Sequence, residues 1–188
     1  MKTARHFRSG ALGAGASGFS LIEVLIALII IAVGMLGLAK IQALAYTSTG
    51  TASLRSLAAL EASSFASAMH ANRSYWSPNP VLTTALTITI TGTTIVPSDA
   101  ALSAMPNCAV VGTPCSAANL AAYDLQKWVG DLNALLPNLQ ATVNCPVPLA
   151  GPMECTIQLT WNETQVAINA QAQGNSLAAP TYTLYVAP

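Results

Sequence analysis

The sequence predicts an α+β protein: one long N-terminal α-helix, packed through its second half on a C-terminal antiparallel β-sheet head with one additional helix. Three observations carry this expectation. No proline occurs between Ser20 and Asn72, and apolar residues there first fill every face and then recur at helical spacing. Leu86-Thr87-Ile88-Thr89-Ile90-Thr91 alternates strictly between apolar and polar, as a half-buried strand does. The later apolar runs are short and joined by short turns, which close antiparallel pairs but cannot cross over a sheet.

At 188 residues the chain accommodates one domain plus an anchoring segment. Composition divides it into 1–18, 19–40, 41–73 and 74–188. Residues 1–18 are basic, then rich in Gly, Ala and Ser, with no periodic pattern. Lys2, Arg5 and Arg8 stand there without an acidic residue. Beyond Gly18, four basic residues (Lys40, Arg55, Arg73 and Lys127) face all seven carboxylates, a formal charge of −3. Charged residues make up 7% of the chain, against about 25% in average proteins. No basic patch of the kind that binds nucleic acid is present.

The helix opens with Gly18-Phe19-Ser20-Leu21-Ile22-Glu23, and no charge follows until Lys40. Leu21, Ile22, Val24, Leu25, Ile26, Ala27, Leu28, Ile29, Ile30, Ile31, Ala32 and Val33 form the heart of a run long enough to span a bilayer core, which needs about 20 apolar residues. A basic segment in front of such a run predicts that segment in the cytoplasm and the bulk of the chain outside. Glu23 is the anomaly. A charge at bilayer depth costs roughly 2.5–3.5 kcal/mol on insertion scales and usually has a function. Gly34 and Gly37 are either ordinary membrane-helix glycines or sites of close packing or local melting. Thr47-Ser48-Thr49-Gly50-Thr51 is poor in helix formers and is the expected place for a bend.

From Leu54 the helix becomes one-sided: Leu54, Leu57, Ala58, Phe65, Ala68 and Met69 share a face that should lie on the head. Glu61 projects onto that face, read as a solvated or paired rim residue. His70 reads as a surface residue near the last carbonyls. Pro78 and Pro80 then impose a loop, with Trp76 as a packing anchor. After the Leu86–Thr91 strand, Gly92 allows a turn and Thr93–Val96 returns. Residues 97–119 read as loop. A second helix is expected over Leu120–Leu136, with Asn119 as N-cap, Pro137 as stop and Ala121, Leu125, Trp128, Leu132 and Leu135 buried. Asp124, Lys127 and Asp131 read as solvated, with a surface ion pair among them. Ala141–Cys145, Cys155–Trp161, Gln165–Ala172 and Thr181–Val186 complete the strands, with a turn at Gly174-Asn175-Ser176.

Four cysteines lie far beyond the apolar run, on the expected outer side. An even number in an oxidising compartment is consistent with two disulfides, for which three pairings exist. A Cys108–Cys115 bridge would pin a small loop, and Cys145–Cys155 would close the base of a proline-rich hairpin loop. Zinc is disfavoured, since neither pair has close Cys-x₂₋₄-Cys spacing and no histidine lies nearby. No nucleophile elbow, His-Glu-x-x-His motif, phosphate loop or paired carboxylates in an apolar context occurs, so no catalytic residue, metal or cofactor is expected.

The small-residue junction Ala16-Ser17-Gly18 precedes the apolar run, whereas a secretory signal carries its apolar region before the cleavage site. With Phe19 and Glu23 following, and Val-Leu-Ile-Ala-Leu after them, this order resembles the class III leader of type IV pilins and pseudopilins. The resemblance implies a leader of residues 1–18 cut after Gly18 by prepilin peptidase, and N-methylation of Phe19. It also implies that Glu23 is the carboxylate that registers each incoming subunit against the one before it. Ala66–Arg73, Asp124–Pro137 and Ile157–Trp161 are further similar to PilV-type minor pilins, although Asn138 and Leu139 stand where glycines are usual. The implied partners are prepilin peptidase, other minor and major pilins, the inner-membrane assembly platform and the membrane itself. The implied location is a single-pass precursor in the bacterial inner membrane with a periplasmic head, then a pilus fibre or its base or tip complex. A type II secretion pseudopilin shares the motif. A membrane-anchored adhesin, binding through loops 97–119 and 146–154, is the alternative of a different class.

Overall fold

Long runs of helix formers and strictly alternating segments sort the chain into helices and one sheet. The computed structural model describes residues 18–77, 84–110, 114–148, 152–163 and 179–188. The leader up to Ser17, Pro78 and Pro80, Gln165–Ala172 and the Gly174-Asn175-Ser176 turn lie outside the described residues. The chain divides into two units, Met1–Gln42 and Ala43–Pro188. Helix α1 (Leu21–Ala71) contributes to both.

In the first unit every described residue is exposed, including the large apolar side chains from Leu21 to Ile41. The helix is intact at Gly34 and Gly37, where an added Cβ would meet nothing within 4 Å. In the second unit α1 also stays helical through Thr47–Thr51. The hydroxyls there fold back on the helix: Thr47 Oγ1 donates to the Leu44 carbonyl at 3.0 Å, Thr49 Oγ1 to Ala45 at 2.9 Å and Thr51 Oγ1 to Ser48 at 2.9 Å. The stretch is therefore helical, and such back-bonding is a common cause of bends within helices.

Among the described residues the head is a five-stranded sheet with helices on one face. Its strands are β1 (Leu86–Thr91), β2 (Thr94–Pro97), β3 (Gln140–Cys145), β4 (Cys155–Thr160) and β5 (Thr181–Val186). They lie in the order β2-β1-β3-β4-β5, each neighbour antiparallel. Gly92, at φ 57°, makes the β1–β2 turn, a left-handed conformation glycine adopts without steric cost. Between β2 and β3 the chain forms a 3₁₀ turn (Ala100–Ser103) and helix α3 (Ala117–Leu135). A single helical turn, α2 (Arg73–Trp76), follows α1.

Two details of the expected boundaries are corrected. The stretch 97–119 is not all loop: Asp99 Oδ1 accepts from the Ala101 N–H at 2.9 Å and caps the 3₁₀ turn. Helix α3 starts three residues early because Ser116, not Asn119, is the cap. Ser116 Oγ accepts from the Asn119 N–H at 3.1 Å, the usual way an N-cap hydroxyl satisfies an orphan donor. Leu135 is exposed and Leu136, one residue further, is buried instead.

The core lies between the helices and the inner face of the sheet. From α1 it takes Ala58, Ala62, Phe65, Ala66 and Met69, with Leu54 half-buried against it. Small alanines let α1 approach closely, and the aromatic residues fill what remains. Phe65 stacks on Trp128 with ring centroids 4.3 Å apart and meets Trp76 edge-on at 5.5 Å, both favoured aromatic arrangements. Two disulfides, Cys108–Cys115 and Cys145–Cys155, cross-link the head. Truncating Phe65 empties the contact among α1, α2 and α3. Phe65→Ala should therefore lower the unfolding free energy by about 3–5 kcal/mol, measured by denaturant titration of the detergent-solubilised protein.

Candidate functional site: the N-terminal apolar helix and its acidic first turn

Gly18, Phe19 and Ser20 precede the helix and are exposed. The Ser20 carbonyl accepts from the Glu23 N–H at 3.0 Å and from the Val24 N–H at 3.3 Å, which starts α1. Ser20 and Glu23 have the Ser-x-x-Glu spacing of a capping box. A carboxylate in the first turn also faces the positive end of the helix dipole. A Cβ added at Gly18 would meet nothing within 4 Å among the described residues. Phe19 is 83% exposed.

Following this start, Leu21, Ile22, Val24, Leu25, Ile26, Ala27, Leu28, Ile29, Ile30, Ile31, Ala32 and Val33 all lie exposed on one helix. It is the one helix among the described residues long and apolar enough to cross a membrane, by length and composition. An exposed apolar surface of this extent calls for lipid or other apolar helices around it.

Several polar groups of the head are held in structural bonds, while the buried Trp161 Nε1 has no partner among the described residues. Arg55 on α1 makes a two-pronged ion pair with Glu163, Nε to Oε1 at 2.9 Å and Nη2 to Oε2 at 3.0 Å. The pair raises the Arg55 pKa, through the hydrogen bond first and the charge second. Asn72 is buried and its Nδ2 donates to the Ala117 carbonyl at 2.7 Å. Tyr75 Oη donates to Asp99 Oδ2 at 2.7 Å, beside a cleft of about 560 Å³ lined by Ser74, Leu86 and Ser98. Burial, then the Asp99 hydrogen bond, holds the Tyr75 phenol protonated well above its ordinary range. Both Asp99 oxygens are thus engaged, one by Tyr75 and one by the 3₁₀ turn. Among the described residues no cluster of three or more His, Cys, Asp or Glu is placed to hold a metal ion.

Glu61 sits at the α1–α3 seam, where its carbonyl accepts from Trp128 Nε1 at 2.9 Å. Lys127 and Asp131 form the surface ion pair at 3.3 Å. Partial burial, then repulsion from Asp131, raises the Glu61 pKa, with Lys127 opposing. Burial also raises that of Asp124, which is half-buried rather than fully solvated. The sequence had no signal for the Arg55–Glu163 or Tyr75–Asp99 contacts, which join distant segments. The Asp99 cap was legible, as an aspartate directly before a helix-forming Ala-Ala-Leu run.

The fold and this N-terminal helix together define a pilin-like α+β architecture. Residues 14–39 match the family model described as the prokaryotic N-terminal methylation motif. The match supports a type IV pilin-like or pseudopilin protein, with a class III leader and a single anchoring helix. Comparison with curated proteins and with solved structures returns no match.

The raised Glu61 pKa has a consequence for stability. The folded state holds this proton to a higher pH than the unfolded chain, so stability falls as pH rises through and above the ordinary Glu range. Glu61→Gln, neutral throughout, should therefore be more stable than the parent at about pH 7 and equal to it at about pH 4, as read from thermal melts at the two pH values.

Proposed function

We propose that this chain is a minor type IV pilin. Its precursor is held in the bacterial inner membrane by Leu21–Val33, with the leader cytoplasmic and the head periplasmic. Prepilin peptidase cuts between Gly18 and Phe19, and Phe19 is N-methylated. The processed subunit then enters the pilus, or primes its assembly, together with other pilins and the inner-membrane platform. The observation that carries this reading is the coincidence of the methylation motif at residues 14–39 with a fully exposed apolar helix that bears Glu23 in its first turn. The two disulfides in the head support an oxidising compartment for that part of the chain.

The chemistry of assembly follows from charge and solvent. Cleavage leaves a free amine on Phe19, cationic near neutral pH. In lipid, or among apolar helices, an isolated Glu23 carboxylate is costly, and leaving one member of a buried pair unmatched costs about 3–5 kcal/mol. A neighbouring subunit's Phe19 amine neutralises it at one axial offset only. One pair thus fixes register along an otherwise featureless apolar helix. A type II secretion pseudopilin would use the same start. Deletion separates the two, since it removes surface fibres in one case and stops exoprotein export in the other.

Mass spectrometry of sheared surface fibres tests the reading directly, with a peptide beginning at N-methylated Phe19 as the expected result. The processed form found only in the inner membrane would count against a place in the fibre. Gly18→Ala should leave an uncleaved precursor on immunoblots while the head folds normally, because the added methyl meets open space. Glu23→Ala should be cleaved normally yet enter fibres poorly, and undiminished incorporation would remove its register role.

A further inference from the structure

The cleft beside Tyr75 opens where α2, the entry to β1 and the segment joining β2 to the 3₁₀ turn come together. Its volume of about 560 Å³ falls within the range of small-ligand sites, about 300–1,000 Å³. The pilin reading gives it no task. Its one charged liner is Asp99, which is half-buried. The carboxylate meets only neutral donors, Tyr75 Oη at 2.7 Å and the Ala101 N–H at 2.9 Å. Among the described residues no lysine, arginine or histidine lines the cleft, and Asp99 makes no ion pair. The carboxylates of Glu163 and Asp131, by contrast, each meet a cation.

The chemistry of the cleft selects its ligand. A partly desolvated carboxylate without a counterion attracts a cation more strongly than one in bulk water does. Each Asp99 oxygen accepts one bond from within the chain and keeps a further lone pair for a ligand. Burial, then the Asp99 bond, keeps the Tyr75 phenol neutral, so its oxygen accepts as well. The Tyr75 ring is set edge-on to Trp76, with centroids 5.1 Å apart, and an aromatic ring adds its own attraction for a cation. Ser74, Thr84 and Ser98 bring hydroxyl oxygens that accept the remaining N–H bonds of an ammonium group. Ala85 and Leu86 give apolar surface to a short alkyl stem. Calcium is a poorer match, since it takes about six to eight oxygen ligands and Asp99 is the one carboxylate lining the cleft. An anion would meet that carboxylate unshielded.

We propose that this cleft binds a primary ammonium group on a short alkyl stem, with Asp99 as its counterion and Tyr75 beside it. The group arrives on a free alkylamine or on the lysine side chain of a partner chain, which present the same chemistry to the cleft. This goes beyond the pilin reading and does not depend on it.

The test uses full-length protein in maltoside micelles, a detergent without an ammonium group. Butylammonium, n-butanol, butyrate and the peptide acetyl-Gly-Lys-Gly-amide are titrated in turn, by saturation-transfer NMR and by the shift of the Ala101 amide, which is bonded to Asp99. Butylammonium should bind and move that amide, with butanol and butyrate weaker by about tenfold or more. A peptide that binds more tightly than butylammonium assigns the group to a partner's lysine, and the reverse order assigns it to a free amine. Asp99→Asn, which keeps an oxygen for the turn, should weaken binding about tenfold or more, and Tyr75→Phe, which keeps the ring, should retain it. Ala85→Trp, at an exposed position on the cleft wall, should block it by filling the space, and it decides the matter if Asp99→Asn fails to fold. The uncleaved Gly18→Ala precursor should bind equally, which separates this result from any failure of processing. The proposal is overturned if butylammonium does not bind, if butanol binds as well, or if binding survives either weakening variant in folded form. Calcium moving the Ala101 amide at lower concentration than butylammonium would also overturn it, by making the cleft a metal site.

Discussion

The head is built around the stack of Phe65 on Trp128, which joins α1 to α3. Trp76 closes it from the side, and Trp128 Nε1 satisfies a carbonyl of the helix it packs against. Alanines at positions 58, 62 and 66 bring α1 close enough for this contact. Without it, α1 would bury little beyond its alanines, Met69 and part of Leu54, and at about 25 cal/mol per Å² the alanine methyls give little. Arg55–Glu163 on α1, and Asn72–Ala117 just past its end, then tie this part of the chain to segments far away in sequence.

Much of this was legible in the sequence because the responsible pattern was local. The Leu86–Thr91 and Thr181–Val186 strands follow from alternation alone, and the long helix follows from its composition and lack of proline. The Thr47–Thr51 stretch stays helical despite its poor helix formers, with its threonine hydroxyls bonded back to carbonyls of the preceding turn. The start of α3 was misplaced because Ser116 and Asn119 are both good caps. Only geometry distinguishes them, and Asn119 is the residue whose N–H is capped. Asn138 is a quieter case. It adopts φ 51°, a conformation Asn tolerates better than most residues, so a position expected to need glycine is served without it.

The N-terminal site was legible for a different reason. Order, spacing and a following apolar run must coincide there, and each can be read from the chain directly. What the sequence could not reveal is that a side chain at Gly18 would meet nothing within 4 Å among the described residues.

The disulfides have a mechanical consequence. Each joins cysteines close in sequence, separated by 7 and 10 positions. A pull on the two ends of the chain travels through sulfur and bypasses both loops, which removes on the order of 50 Å from the length the head can pay out. The Cys145–Cys155 bridge also sits at one end of the central β3–β4 pair, so load reaches that pair with its strands already fastened together. Under tension such a head can still pay out most of its length, but the two bridged loops stay closed whatever the load on the strands around them.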